Sequence, residues 1–152
     1  MVQLFNLLLI VFFTQSLASD EYISIKDITS KANLRKGPGD WYPIKWIIET
    51  PSLPLKIIEK GDRFNKVELH DGTQGWLSII LTSKRNTLIV TKDANLEDKT
   101  GNVKAKVLKN NIIKEFNCNL AHTPDFCRVK VKSNKGFINK IFLWGFKHSQ
   151  NP

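Results

Sequence analysis

The sequence predicts an all-β protein made of two small β-barrels in tandem. Three observations carry that prediction. The first is an internal repeat: Ala32-Asn33-Leu34 returns as Ala94-Asn95-Leu96, 62 residues on, and Phe64-Asn65-Lys66-Val67-Glu68-Leu69 returns at the same spacing as Phe126-Cys127-Arg128-Val129-Lys130-Val131. Gly75-Trp76-Leu77 returns as Gly136-Phe137-Ile138. A constant offset over separate stretches means two copies of one supersecondary unit. The second is punctuation: short runs of β character lie between closely spaced Gly and Pro residues, the pattern of small barrels or sandwiches. The third is that no window sustains a helical period.

The chain of 152 residues opens with an unbroken apolar run from Leu7 to Phe13. Ser16-Leu17-Ala18 places small residues ahead of a cut before Ser19. Residues 1–18 are therefore expected to be an export signal, although no Lys or Arg precedes Lys26 to supply a charged start. The competing reading, an uncleaved anchor, needs about 20 apolar residues to span a bilayer, and this run is shorter. No membrane span is expected after cleavage. The expected location is the periplasm.

Residues 19–30 read as a polar lead-in carrying Ile23, Ile25 and Ile28, either a first edge strand or a loose arm. The first domain is expected over 31–83. Gly37-Pro38-Gly39, Pro51, Pro54, Gly61, Asp71-Gly72 and Gly75 mark its turns. Between them, Ile44 to Ile48, Leu55 to Glu59, Phe64 to Leu69 and Gly75 to Ile79 read as strands, with Asp71-Gly72 closing a tight hairpin. A linker is expected over 84–91, but Thr87-Leu88-Ile89-Val90 is itself strand-like, so the modules are free to share an edge. The second domain, 92–147, repeats the order with fewer breakers. A copy of about 60 residues buries little surface alone, so the copies are expected to pack on each other or to be stapled.

Period two assigns faces. Val67 and Leu69, with Asn65, share one side of their strand, and Cys127, Val129 and Val131 take that side in the second copy. This apolar side is expected to be core. Phe64 and Phe126 then fall on the outer side, packed under a loop or lining a groove.

Cys118 and Cys127 are the only cysteines, nine apart on what read as successive strands. In an exported chain they are expected to form a disulfide. A catalytic cysteine with His122, or a metal ligand, is the alternative. The net charge of +9 is uneven: 11 basic and 9 acidic side chains from Asp20 to Thr91, 12 and 5 from Lys92 onward. That excess fits weak contact with an anionic surface or simple solubility. Nucleic acid is not an expected partner of an exported protein.

Ala32-Asn33-Leu34-Arg35-Lys36-Gly37-Pro38-Gly39 resembles the opening strand and turn of bacterial SH3 domains of the SH3b type. Tyr42-Pro43-Ile44-Lys45-Trp46, Asp71 to Trp76 and Leu143-Trp144-Gly145 are similar to those of exported tandem SH3-like proteins of alphaproteobacterial type. The resemblance implies two short SH3-like barrels and a cell-envelope location, with ligands that differ among members. It thins in the second copy, where Glu97 replaces the arginine and no Gly-Pro-Gly follows. That copy is expected to have lost a binding groove and to keep a structural role.

The candidate ligand-binding residues are Arg35, Trp41, Tyr42, Trp46 and Trp76. Trp and Tyr offer rigid contact area with a polar tip, and Arg35 suits a carboxylate. Core packing is the competing role for Trp46 and Trp76. His70, His122 and His148 match no metal spacing, no nucleophile and base stand in a recognised motif, and no cofactor is expected. These residues point to a non-enzymatic envelope-binding module for a peptidoglycan stem peptide or an envelope protein. A scaffold or regulator without glycan contact is the alternative, and a small cell-wall hydrolase a third.

Overall fold

The computed structural model describes residues 20–147. The expected export signal and His148 lie outside them. Fifteen strands make an all-β fold: β1 (Glu21–Ile25), β2 (Ala32–Arg35), β3 (Ile44–Ile48), β4 (Pro54–Glu59), β5 (Phe64–Glu68), β6 (Gln74–Ser78), β7 (Thr82–Ser83), β8 (Leu88–Val90), β9 (Ala94–Glu97), β10 (Val103–Val107), β11 (Ile112–Ile113), β12 (Glu115–Asn117), β13 (Phe126–Val131), β14 (Asn134–Asn139) and β15 (Leu143–Trp144). Single 3-10 turns, Ile79–Leu81 and Lys140–Phe142, precede β7 and β15.

The first seven strands form one antiparallel sheet in the order β3-β2-β6-β5-β4-β1-β7. The later strands read β10-β9-β14-β13-β12 in one sheet and β11-β8-β15 in another. Only Lys114 separates β11 from β12, so the second half repeats the first half's order with the counterpart of β4 broken in two. Asp71-Gly72 makes the β5–β6 turn: Gly72 donates to the Leu69 carbonyl at 2.9 Å and sits at φ 84°, where a Cβ is disfavoured.

The chain's leading segments depart from their expected form. β1 is neither an edge strand nor an arm, because it hydrogen-bonds β4 on one side and β7 on the other. In the segment read as a linker, β8 pairs with β11 and β15 in the same way. The two strands are counterparts, yet the constant offset conceals it. The connection from β1 to β2 runs over 26–31, whereas that from β8 to β9 takes only 91–93.

Two apolar clusters fill the fold. Leu34, Leu55, Val67 and Leu77, all at 0% exposure, centre the first; Leu88, Val90, Leu96, Cys127 and Ile138, also at 0%, centre the second. Cys127 points inward as its strand face requires and is bonded to Cys118, with an S–S distance of 2.00 Å. Phe64 is buried and Phe126 half-buried.

β8 joins the clusters. Leu88 and Val90 belong to the second, whereas Ile89, one residue out of phase, belongs to the first. Ile89 is opposite Ile112 on one neighbour and Trp144 on the other, and both of these also pack on the first cluster. Trp144 meets Tyr22 edge-on, centroids 5.2 Å apart, and His70 at 6.4 Å. Buried Thr87 donates to the Ser52 carbonyl at 2.7 Å. At the rim, Asp27 accepts from Ser52 Oγ and from Lys114 Nζ at 2.9 Å, with Arg85 at 3.5 Å. The Ser52 hydroxyl first, and Lys114 and Arg85 after it, hold the Asp27 carboxyl below its ordinary value.

Ile89→Ala should lower stability by about 2–5 kcal/mol. Because Ile112, Trp144 and the Thr87–Ser52 hydrogen bond still tie one half to the other, both should still be lost in a single thermal transition. Two resolved transitions by calorimetry would show that the halves melt independently. A depressed carboxyl contributes stability above its ordinary pKa and loses it as pH falls through the folded value. The difference in melting temperature between wild type and Asp27→Asn should therefore be complete above the ordinary value of 3.8 and close progressively in acid below it.

Candidate functional site

The sequence places Gly-Pro-Gly directly after β2, and the loop it starts carries the exposed aromatics. Trp41 lies against Gly39 and Tyr42 against Gly37. A Cβ at either glycine would come within 2.6 Å and 2.4 Å of the respective ring. The glycines are thus required by close approach, since both have ordinary negative φ. The rings tilt together with centroids 5.7 Å apart. Trp41 remains 77% exposed and Tyr42 37%.

Arg35 organises this loop. Its Nη1 donates to the carbonyls of Asp40 at 2.8 Å and Tyr42 at 2.9 Å, and its Nη2 is 3.5 Å from the Asp40 carboxylate. Arg63 approaches the same carboxylate at 3.7 Å. The Lys36 amide donates to the Pro43 carbonyl at 3.0 Å and closes the base of the loop. The guanidinium expected to meet a ligand is spent on holding the aromatics in place.

The five candidate residues do not line one groove. Trp46 is opposite Leu34, on the sheet face that also carries Ala32 and Ile48. Trp76 is opposite Arg35 and Lys66, on the other face. An irregularity in the register between Leu34 and Arg35 shifts β3 at this point. Trp41 and Tyr42 form an exposed ridge. They stand on the loop and continue into β3, where Ile44, Trp46 and Ile47 are about half exposed. Trp76 is half-buried behind them. A cleft of ≈ 250 Å³ beside Asp40, lined by Arg35, Arg63, Phe64 and the 79–81 turn, includes none of the four aromatic candidates.

β3 is the outer strand of its sheet. Its counterpart β10 reads Val-Lys-Ala-Lys-Val and carries lysines, a common guard against strand addition. β3 has only Lys45, whose ammonium donates to the Gln74 carbonyl at 3.1 Å as that of Lys104 on β10 does to the Lys135 carbonyl at 2.8 Å.

The second half, expected to have lost a binding groove, has a cleft of its own. A cavity of ≈ 570 Å³ opens there, lined by Glu97, His122, Phe126, Arg128 and Phe137 among others, and bordered by Leu120 and Ala121. The connection from β12 to β13 runs over 118–125, whereas its counterpart takes only 60–63. The insertion builds one wall. Its length and its Leu120-Ala121 pair are the sequence signal that could have found the cleft. Among the described residues no group of three or more His, Cys, Asp or Glu is placed to hold a metal ion. No helix among them is long and apolar enough to cross a membrane.

Residues 29–84 match the bacterial SH3 domain family, so the resemblance read from Ala32 to Gly39 holds for the first half of the chain. No curated protein matches the sequence. Solved structures with a partly similar outline include NlpC1 from Trichomonas vaginalis, at 17% identity and TM-score 0.40, covering 88% of this chain and 48% of that one. NlpC2 from the same organism follows at 16% identity and TM-score 0.39, covering 88% and 51%. The chain thus spans about half the length of these structures. Likeness at that level transfers no activity.

Arg35→Ala should free the 36–43 loop while leaving the sheet intact. Each hydrogen bond from a charged donor contributes about 1.5–3 kcal/mol, so amide exchange at Gly39 and Tyr42 should accelerate by roughly tenfold or more. Exchange in β5 and β6 should not change. Unaltered exchange at Tyr42 would show that the glycine contacts alone hold the loop.

Proposed function

We propose that this protein is an exported, non-enzymatic binding module of the cell envelope, and that it takes a peptidoglycan stem peptide or an envelope protein on the aromatic ridge of its first half. The observation that carries this reading is the Trp41–Tyr42 pair, held rigidly by Arg35 and two glycines yet left open to solvent. Burying such rings against water is favourable, and a chain ordinarily does so unless a partner will. A preorganised aromatic surface also binds with little loss of side-chain freedom. Bacterial SH3 domains bind cell-wall or envelope components, which agrees with this reading.

The outer strand favours a protein partner within that choice. β3 offers unpaired backbone groups flanked by exposed Ile44, Trp46 and Ile47, and its edge is less guarded than that of β10. An extended peptide added there gains main-chain hydrogen bonds along the strand and apolar contact from alternate side chains. A scaffold or regulator acting on an envelope protein needs no glycan contact. The excess of basic residues from Lys92 onward adds a weak attraction to anionic envelope material, screened beyond about 8 Å at physiological salt.

Trp41→Ala combined with Tyr42→Ala should abolish retention on purified sacculi or capture of an envelope protein, with the melting temperature nearly unchanged. Sacculus retention by the wild type selects the stem peptide, and recovery of an envelope protein without it selects the scaffold. Release of soluble muropeptides would replace both with a hydrolase. If the double variant loses cooperative unfolding, the rings are structural and the ridge is not a binding surface.

A further inference from the structure

We infer that the cleft on the outer face of the second half is a separate binding site for a short zwitterionic peptide. Its ammonium would sit at Glu97, its carboxylate at Arg128, and an apolar side chain between them on Phe137.

The three residues stand in one row. Phe137 on β14 is directly opposite Glu97 on β9 and Arg128 on β13, so all three share a sheet face. Neighbouring strands lie about 4.8 Å apart, which puts the acidic and basic positions about 10 Å from each other with an aromatic ring between. That separation is too great for a direct ion pair. Neither Glu97 nor Arg128 has a side-chain hydrogen bond or ion pair among the described residues. Their charged neighbours do: Lys130 is bound to Glu115 at 2.8 Å, and Lys106 lies 3.6 Å from Asp93. The Asp98 carboxylate is taken up by Thr100 and Asn102 within its own turn, which holds it well below the usual carboxylate range. Within the row, one acceptor and one donor of opposite charge are thus left open at the two ends of an aromatic floor; Lys99, in the turn that follows Glu97, and His122 also line the cavity.

The walls fit the same occupant. Phe126 adjoins Phe137, and the 119–123 segment lines the cavity beside them. The disulfide pins that segment at its base, because Cys118 precedes it and Cys127 follows Phe126. The volume of ≈ 570 Å³ suits a few residues of peptide. An extended peptide advances about 3.3 Å per residue, so three residues bring a free ammonium and a free carboxylate to the ends of the row. The first half cannot do this. Its equivalent row is Arg35, Trp76 and Lys66, which has no acid and whose arginine is committed to its loop.

The probe is the tripeptide Ala-Phe-Ala with free termini, titrated into the full mature chain and followed by amide resonances of Phe137 and Arg128. Saturable shifts are expected with a Kd on the order of 1 mM or tighter. The N-acetyl and C-amide forms should each bind about tenfold more weakly, a difference of 1.4 kcal/mol. Glu97→Gln should erase the preference for the free ammonium and keep that for the carboxylate, and Arg128→Gln should do the reverse. A parallel series with a D-residue in the middle separates wall-derived from protein-derived peptides, and tighter binding by either series assigns the source. Equal binding of free and blocked peptides by the wild type overturns the inference, as does the absence of saturable shifts at Phe137. These readouts lie in the second half, so they stand or fall apart from the Trp41 ridge.

Discussion

β8 has no solvent face, and much of the architecture follows from that. Its three residues are at most 2% exposed, and its backbone is hydrogen-bonded on both edges. Successive side chains of a strand point in opposite directions, so a short apolar strand buried on both sides must be covered by two cores. Leu88 and Val90 satisfy one core, and Ile89 with its row-mates Ile112 and Trp144 satisfies the other. The halves are thereby held at a shared wall. Fully burying an aliphatic side chain contributes about 1.5–3 kcal/mol, so this row outweighs the exposed ion pairs at Asp27 as the source of cohesion. Those pairs, with the buried Thr87–Ser52 hydrogen bond, set how the halves meet more than how strongly.

Each half then hangs different loops on a similar strand order. In the first, a short connection before β5 leaves the outer face plain, and the chemistry moves to the Gly-Pro-Gly loop and the outer strand. In the second, the loop after β9 is a tight turn built around Asp98, and the long disulfide-pinned connection before β13 raises a wall over the outer face. The arginine that holds the aromatic loop in one copy is an acid facing a cleft in the other. Divergence at one strand position thus changes the chemistry of the whole face: Arg35 acts through the carbonyls of Asp40 and Tyr42, and an acid such as Glu97 has no hydrogen to donate.

Charge follows the same division. The acids of the first half are largely used in pairs with nearby bases, such as Asp20 with Lys56 and Glu21 with Lys60. The second half has 12 bases to 5 acids after Thr91. The two outer strands differ in the same sense: lysines alternate along β10, whereas β3 keeps its apolar side chains at the edge.

The sequence alone determined the all-β class, the repeat, most of the strands from Ala32 onward though not the two-residue β7 and β15 or the break between β11 and β12, the Asp71-Gly72 hairpin, the inward face of Cys127 and its pairing with Cys118. These are local: period two, turn chemistry and spacing act over a few residues. It also marked Trp41 and Tyr42 as loop aromatics, because Gly-Pro-Gly precedes them. Tertiary structure decided the rest. The roles of β1 and β8 depend on partners far along the chain, and unequal loops had displaced them from the constant offset. Trp46 and Trp76 were separated by strand register, which no residue states by itself. Arg35 became a scaffold for its loop because the carbonyls of Asp40 and Tyr42 curl back to it. Glu97 and Arg128 lie 31 positions apart in sequence. Only the pairing of β9, β14 and β13 stands them at the two ends of one aromatic row, since side-chain neighbours in a sheet are set by strand order and not by the order of the chain.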